Sequence, residues 1–187
     1  EAPAGGDQFQ LGNNEPAAPK KWTVLLWSAS DNNLYKFMQK DIDECEQIGS
    51  TPGMNVVVQT DHGPLFGTAK RYLLTQDTRP GIHSPVVGKP SSNNTGDPAQ
   101  LSEFIQWGMQ KYPAENYALI ISDHGGGWQG ACSDDHSKSW MTLPMLEQGL
   151  SDAREKTGRK LDVLGFDACL MASAEVAEQL KNEATYL

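Results

Sequence analysis

From Trp22 onward the chain alternates between two hydrophobic patterns. The apolar runs in KWTVLLW, MNVVVQTDHG, YALIIS and LDVLGFD have the length of buried strands, about four to eight residues. Between them apolar residues recur three or four positions apart. In SDNNLYKFMQKDIDECEQIG, Leu34, Phe37, Met38, Ile42, Cys45 and Ile48 share one helical face, with Asp31 or Asn32 placed to cap the start and Gly49 to end it. DPAQLSEFIQWGMQKY predicts a helix with Asp97 as N-cap and Pro98 in its first turn. LPMLEQGLSDAREKTG predicts a helix stopped at Gly158, and ASAEVAEQLKNEA predicts the last one. AKRYLLT predicts a further strand, antiparallel or at an edge. The Pro-, Gly-, Ser- and Asn-rich stretch from Arg79 to Gly96 reads as a long loop, and ACSDDHSKSWMT as a polar, turn-rich segment. Residues 1–20 carry almost no large apolar side chain and predict a disordered lead or propeptide remnant, which leaves 21–187 as the folded portion.

Strands alternating with helices predict βαβ units: an α/β fold with a mostly parallel sheet and helices on both faces. In such sheets ligands bind beyond the carboxyl ends of the strands. His62, His124 and Cys169 each stand at such an end. One helix follows Cys169 with no closing element, so the domain is expected to continue past Leu187.

The chain has 187 residues, 38% hydrophobic and 21% charged, ordinary for a globular domain with a sizeable core. No apolar run approaches the roughly 20 residues of a membrane-spanning helix. A net charge of −9 argues against nucleic acid as a partner and favours a cationic substrate. Three cysteines are too few for a disulfide scaffold.

The candidate chemistry lies in SDHGGGW and GFDACLM. In the first, a histidine ends an apolar run and three glycines follow, which frees the backbone for sharp turns and close approach. In the second, a cysteine ends an apolar run and opens a predicted helix, whose N-terminus would lower a thiol's pKa. His124 as proton donor and Cys169 as nucleophile form one reading, with backbone N–H groups of the glycine run facing an oxyanion. The alternative makes Cys169 a small core residue and His124 a loop residue. His62 repeats Asp-His-Gly in QTDHGP, but no Ala-Cys block follows at a comparable distance. His83 and His136 read as solvated, Cys45 as core and Cys132 as a loop thiol. Asp134 and Asp135 are candidates for calcium, which takes six to eight oxygens, or simply for a solvated acidic turn.

An apolar block ending in His-Gly, followed by one ending in Ala-Cys, is similar to the motif of the caspase-like cysteine peptidases, which include caspases, legumain, gingipains and clostripain. SDHGGGW, GFDACLM and the opening WTVLLWSASDNNL resemble the clostripain family in particular, over roughly Trp22 to Leu180. The resemblance implies a caspase-like fold that extends beyond Leu187. It implies His124 as general acid, Cys169 as nucleophile, and the N–H groups of Gly125 and Cys169 as oxyanion donors. It implies Asp167 as the carboxylate of an S1 pocket for Arg, and less well Lys; the alternative role for Asp167 is to cap the following helix. It also implies self-cleavage into associated light and heavy chains, calcium as a possible cofactor, and a secreted or cell-envelope bacterial enzyme. Between the two motifs Lys138 is the basic residue in a long polar loop, and it is the expected cleavage site. Two rivals remain at this point. One is a lipase-like serine hydrolase with HGGGW as its oxyanion loop, although no G-x-S-x-G follows in the chain. The other is a non-catalytic peptide-binding relative.

Overall fold

The structure, a computed structural model, describes residues 19–62 and 68–187. The expected lead over 1–20 lies outside the described residues as far as 18, and Lys20 already opens the first strand. In chain order the elements are β1 (Lys20–Ser28), α1 (Tyr35–Glu46), β2 (Met54–Thr60), β3 (Lys70–Leu73), β4 (Val86–Gly88), α2 (Pro98–Lys111), β5 (Ala114–Ser122), a 3-10 turn (Gly127–Gln129), β6 (Ala131–Asp134), β7 (Ser139–Met141), α3 (Leu143–Thr157), β8 (Leu161–Asp167), α4 (Ala174–Leu180) and β9 (Ala184–Tyr186). A seven-stranded sheet has the order β4-β3-β2-β1-β5-β8-β9. The pairs from β2 through β9 are parallel, and β3 and β4 add antiparallel at one edge. AKRYLLT, expected as a strand either antiparallel or at an edge, is antiparallel to β2, and β4 lies outside it at the edge.

Strand alternation sorts the core onto two faces. Leu25 and Trp27 of β1, Leu119 and Ile121 of β5 and Leu164 of β8 pack under Phe104 and Ile105 of α2, Leu146 and Leu150 of α3, and Val176 of α4. On the other face Leu26, Val56 and Val58 meet Ile42 of α1 and Tyr72 of β3. Each side chain of this size contributes about 1.5–3 kcal/mol when fully buried, so the central strands are the rigid part of the molecule. The helix ends follow their sequence signals. The Asp97 side chain accepts from Ala99 N–H at 2.9 Å to cap α2, and Gly158 ends α3 in the left-handed region at φ 66°.

Several expectations need correction. β4 forms inside the stretch read as loop, and β9 adds an edge strand after the last helix, where no closing element was expected. Both are three residues long, too short for a period-2 pattern to register. The polar segment 131–142 folds as the β6–β7 hairpin. The final helix starts only at Ala174, because Ser173 caps it by accepting from Val176 N–H. Neither Asp31 nor Asn32 caps α1; Leu34 occupies that position without a side-chain cap.

Candidate active site

β1 lies at the centre of the sheet, with β2 on one side and β5 on the other, so the chain reverses its direction of winding between β1 and β5. Crevices open beyond the carboxyl ends of strands at such a point. The register places Ser28 beside Ser122 and Ser122 beside Asp167. The segments leaving β1, β5 and β8 therefore emerge side by side, carrying Asn33, His124 and Cys169. Ala29 N–H to Ser122 O at 3.1 Å and Asp123 N–H to Asp167 O at 3.3 Å continue the ladders one step past the strands.

The glycine run has a steric purpose. A methyl group on Gly125 would stand 2.2 Å from the Cys169 carbonyl oxygen and 2.9 Å from the Met171 side chain. Gly127, at φ 61°, lies close to the Leu170 carbonyl. The loop after His124 therefore rests directly on the backbone of the Cys169 turn, an approach that any Cβ would block. That loop is tied down by Gly126 N–H to Gly130 O at 2.8 Å and Cys132 N–H to His124 O at 3.2 Å.

His124 Nε2 lies 2.7 Å from Asn33 Oδ1. The amide oxygen can only accept, so Nε2 carries the hydrogen and Nδ1 is left for proton exchange. Asn33 is held there by its neighbour. Asn32 Oδ1 accepts from Leu34 N–H at 2.9 Å, while Asn32 Nδ2 donates to Ala29 O at 3.0 Å and to Asp123 Oδ1 at 2.7 Å. This clamps the β1–α1 loop to the end of β5. Burial pushes the Asp123 carboxyl up to about 6, against hydrogen bonds from His124 and Ser133 N–H and the Asn32 amide. Asn33 and this clamp escaped the sequence reading. Their signal, the Asn-Asn of SDNNL, acquires meaning only once β1 is known to lie beside β5.

Cys169 is exposed in a turn that continues through Leu170 at φ 64°. It stands well before α4, so the expected help from a helix N-terminus is corrected. Asp167 is not the cap of that helix either; its Oδ2 accepts from Ser122 Oγ at 2.9 Å. Beside Cys169 opens a cleft of about 480 Å³. Asp167 and Phe166 form one wall, and Leu34, Phe37, Met38 and Asp41 form the other. His124 is not among its lining residues and approaches the cysteine turn from the neighbouring strand end.

The remaining candidates separate from this place. His62 is buried on β2's side of β1, with Nε2 3.4 Å from Tyr72 Oη. His83 and His136 are exposed. Cys132 is not a loop thiol: it is fully buried in β6, and desolvation pushes its pKa far up. Cys45 is exposed rather than core, and its thiol is raised by desolvation and then by the Asp41, Glu44 and Asp167 charges. Asp134 is not solvated. It is buried and accepts from Thr95 N–H at 3.0 Å and Ser137 N–H at 2.7 Å. Lys138 is exposed at the hairpin tip with φ 52°, directly before the Asp134–Ser139 pair closes. For calcium, Asp31, Asp61 and Asp134 bring one carboxylate oxygen each within 4.8 Å of one another. Three side-chain oxygens do not complete a shell of six to eight, and Asp135 is outside the group.

The sequence is 29% identical to clostripain of Hathewaya histolytica over 87% of this chain and 36% of that protein. A secreted C11 cysteine protease from Bacteroides thetaiotaomicron, solved with an irreversible peptide inhibitor, superposes with a TM-score of 0.74 at 28% identity, over 88% of this chain and 47% of that one. An inactive zymogen C11 protease from Parabacteroides distasonis gives 0.69 at 27% identity, over 89% and 47%. The chain thus spans half or less of the length of these relatives. The caspase-like sheet implied by the motifs is the one these proteins share. The sequence model of the clostripain family, Peptidase C11, matches residues 26–187, and the chain belongs to that family.

Proposed function

We propose that this chain carries the catalytic residues of a cysteine endopeptidase that cleaves after Arg, and less well after Lys. The observation that carries this is the β5–β8 register, which sets the His124 and Cys169 segments side by side with the Asp167 cleft next to the thiol. The Cys169 sulfur, as thiolate, adds to the scissile carbonyl carbon, and the C=O electron pair moves onto oxygen. The N–H groups of Gly125 and Cys169 receive that oxyanion. As the C–N bond breaks, His124 gives the leaving amine its proton from Nδ1, with Nε2–H retained on Asn33. Water then yields a proton to His124 and adds to the thioester, and cleavage of the C–S bond releases the acid. The net charge of −9 draws basic peptides toward the cleft. Family membership weighs against the serine hydrolase and the non-catalytic alternatives. An extracytoplasmic location is part of the proposal, in keeping with the relative described as secreted.

Alkylation tests the nucleophile. Iodoacetamide near neutral pH is expected to modify Cys169 with parallel loss of peptidase activity. Cys132 is shielded by burial, and the Cys45 thiolate is suppressed first by desolvation and then by its acidic neighbours. Peptide mapping that finds Cys169 fully modified in an active protein sinks the assignment, as does inactivation by a serine-directed fluorophosphonate.

Self-processing is expected after Lys138. Arg154 and Lys156 lie in α3, and a peptide must be extended to enter a protease. Arg159 and Lys160 lead straight into β8. Lys138 alone stands on an exposed hairpin tip. Cleavage there would leave β5 and β8 on different chains, still paired through the ladder Ala118–Ser122 with Val163–Asp167, so the two chains remain associated. Mass spectrometry of incubated wild type beside Cys169→Ala decides the matter. An active but uncut wild type refutes self-processing, and so does a Cys169→Ala protein cut at the same bond without any added protease.

A further inference from the structure

α1 presents to the cleft a face that packing within the described residues does not explain. Phe37 and Asp41, one turn apart, both line the cleft that holds Asp167 and Cys169. Phe37 is 66% exposed, more than an aromatic needs for packing. Asp41 has neither an ion pair nor a hydrogen bond among the described residues; the neighbouring Lys40 is engaged by Glu44 at 2.8 Å. Asp167 likewise has no cationic partner there, only the Ser122 hydroxyl. Both carboxylates line the one cleft, and the Asp41 carboxyl is held above the usual range by desolvation first and then by the Asp167 charge. Two unneutralised carboxylates in a cleft walled by Phe37 and Phe166 suit a ligand with an alkyl stem and a cationic end.

We propose that Asp41 is a second specificity-determining carboxylate, which binds together with Asp167 the guanidinium or ammonium group of the P1 residue. The proposal rests on the reading of this cleft as the P1 pocket and adds to it a determinant from a different element. One carboxylate does not saturate a guanidinium. Asp167 already spends Oδ2 on Ser122, while Arg offers five N–H donors and Lys three. Asp41 supplies further acceptors and cancels more of the positive charge, and a bound cation relieves the repulsion between the two acids.

The test compares matched peptide substrates that differ only at P1, carrying Arg, Lys or citrulline, the neutral isostere of Arg. They are assayed with the active enzyme and its Asp41→Asn and Asp41→Glu variants. Asp41→Asn is expected to lower kcat/KM for Arg and Lys about tenfold, equivalent to about 1.4 kcal/mol, and to leave citrulline nearly unchanged. Asp41→Glu, which keeps the charge, should retain most of the preference. Asp41 is exposed on the helix surface, so the melting temperature should stay close to wild type. If wild type prefers Arg to citrulline and Asp41→Asn keeps that preference, Asp41 is no determinant while the P1 reading stands. If wild type cleaves citrulline as well as Arg, the P1 reading falls and Asp41 with it.

Discussion

Cys169→Ala is expected to abolish peptide hydrolysis, and His124→Ala to reduce it to near background. The first removes the atom that forms the acyl-enzyme, so the loss should be at least about a thousandfold. The second removes proton transfer to the leaving amine, which commonly contributes 10²–10⁴-fold. The pair acts as a unit, so the double variant should be barely slower than Cys169→Ala alone. His62→Ala is the control. His62 stands beyond β2, with β1 between it and β5, and it touches Tyr72 rather than the cleft. Its loss should lower thermal stability more than turnover. Initial rates on a basic-P1 peptide, with circular dichroism to confirm folding, decide among these. Full turnover by folded Cys169→Ala would remove the nucleophile assignment, and inactivity of folded His62→Ala would reassign the imidazole.

The parts of the molecule legible in the sequence were those whose cause is local. An apolar run of four to eight residues, too short for a helix, is a local strand signal, so β1, β2, β5 and β8 are visible in the sequence, and with them the two strand ends that carry His124 and Cys169. Capping signals at Asp97 and Gly158 act within a few residues and fell where expected. What failed depends on partners. β9 forms because β8 offers a free parallel edge to a three-residue segment, and no local pattern announces that. The helix expected to open at Cys169 yielded to Ser173, whose capping bond outweighs the helix propensity of the Ala and Leu residues before it. Nothing in the sequence around Asp41 separates it from the other acids of α1. Only the placement of α1 across from β8 turns it toward Asp167. The role of Asn33 follows from strand order alone, since it reaches His124 across the β1–β5 pairing.

The cleft also sets the largest expected change in specificity. Asp167→Asn keeps an oxygen to accept from Ser122 Oγ and so preserves the local bond. What it removes is a negative charge that lines the same cleft as Cys169, two positions along the chain from it. Losing one member of a desolvated charge pair costs about 3–5 kcal/mol. At most the lower end applies here, because Asp167 is exposed until a bound P1 residue covers it and Asp41 remains in the same cleft. At about 1.4 kcal/mol per tenfold, kcat/KM on Arg substrates should fall by up to about a hundredfold. A citrulline substrate, which brings no charge, should lose little. Because Asp41 and Asp167 share one cation and each softens the loss of the other, their effects are coupled, and the double variant should lose more than the sum of the two single losses in free energy. The measurement is a set of kcat/KM values for Arg and citrulline peptides across wild type, both single variants and the double. Equal losses on charged and neutral substrates would make Asp167 a residue that shapes the Cys169 turn, and the basic specificity of this cleft would have no support.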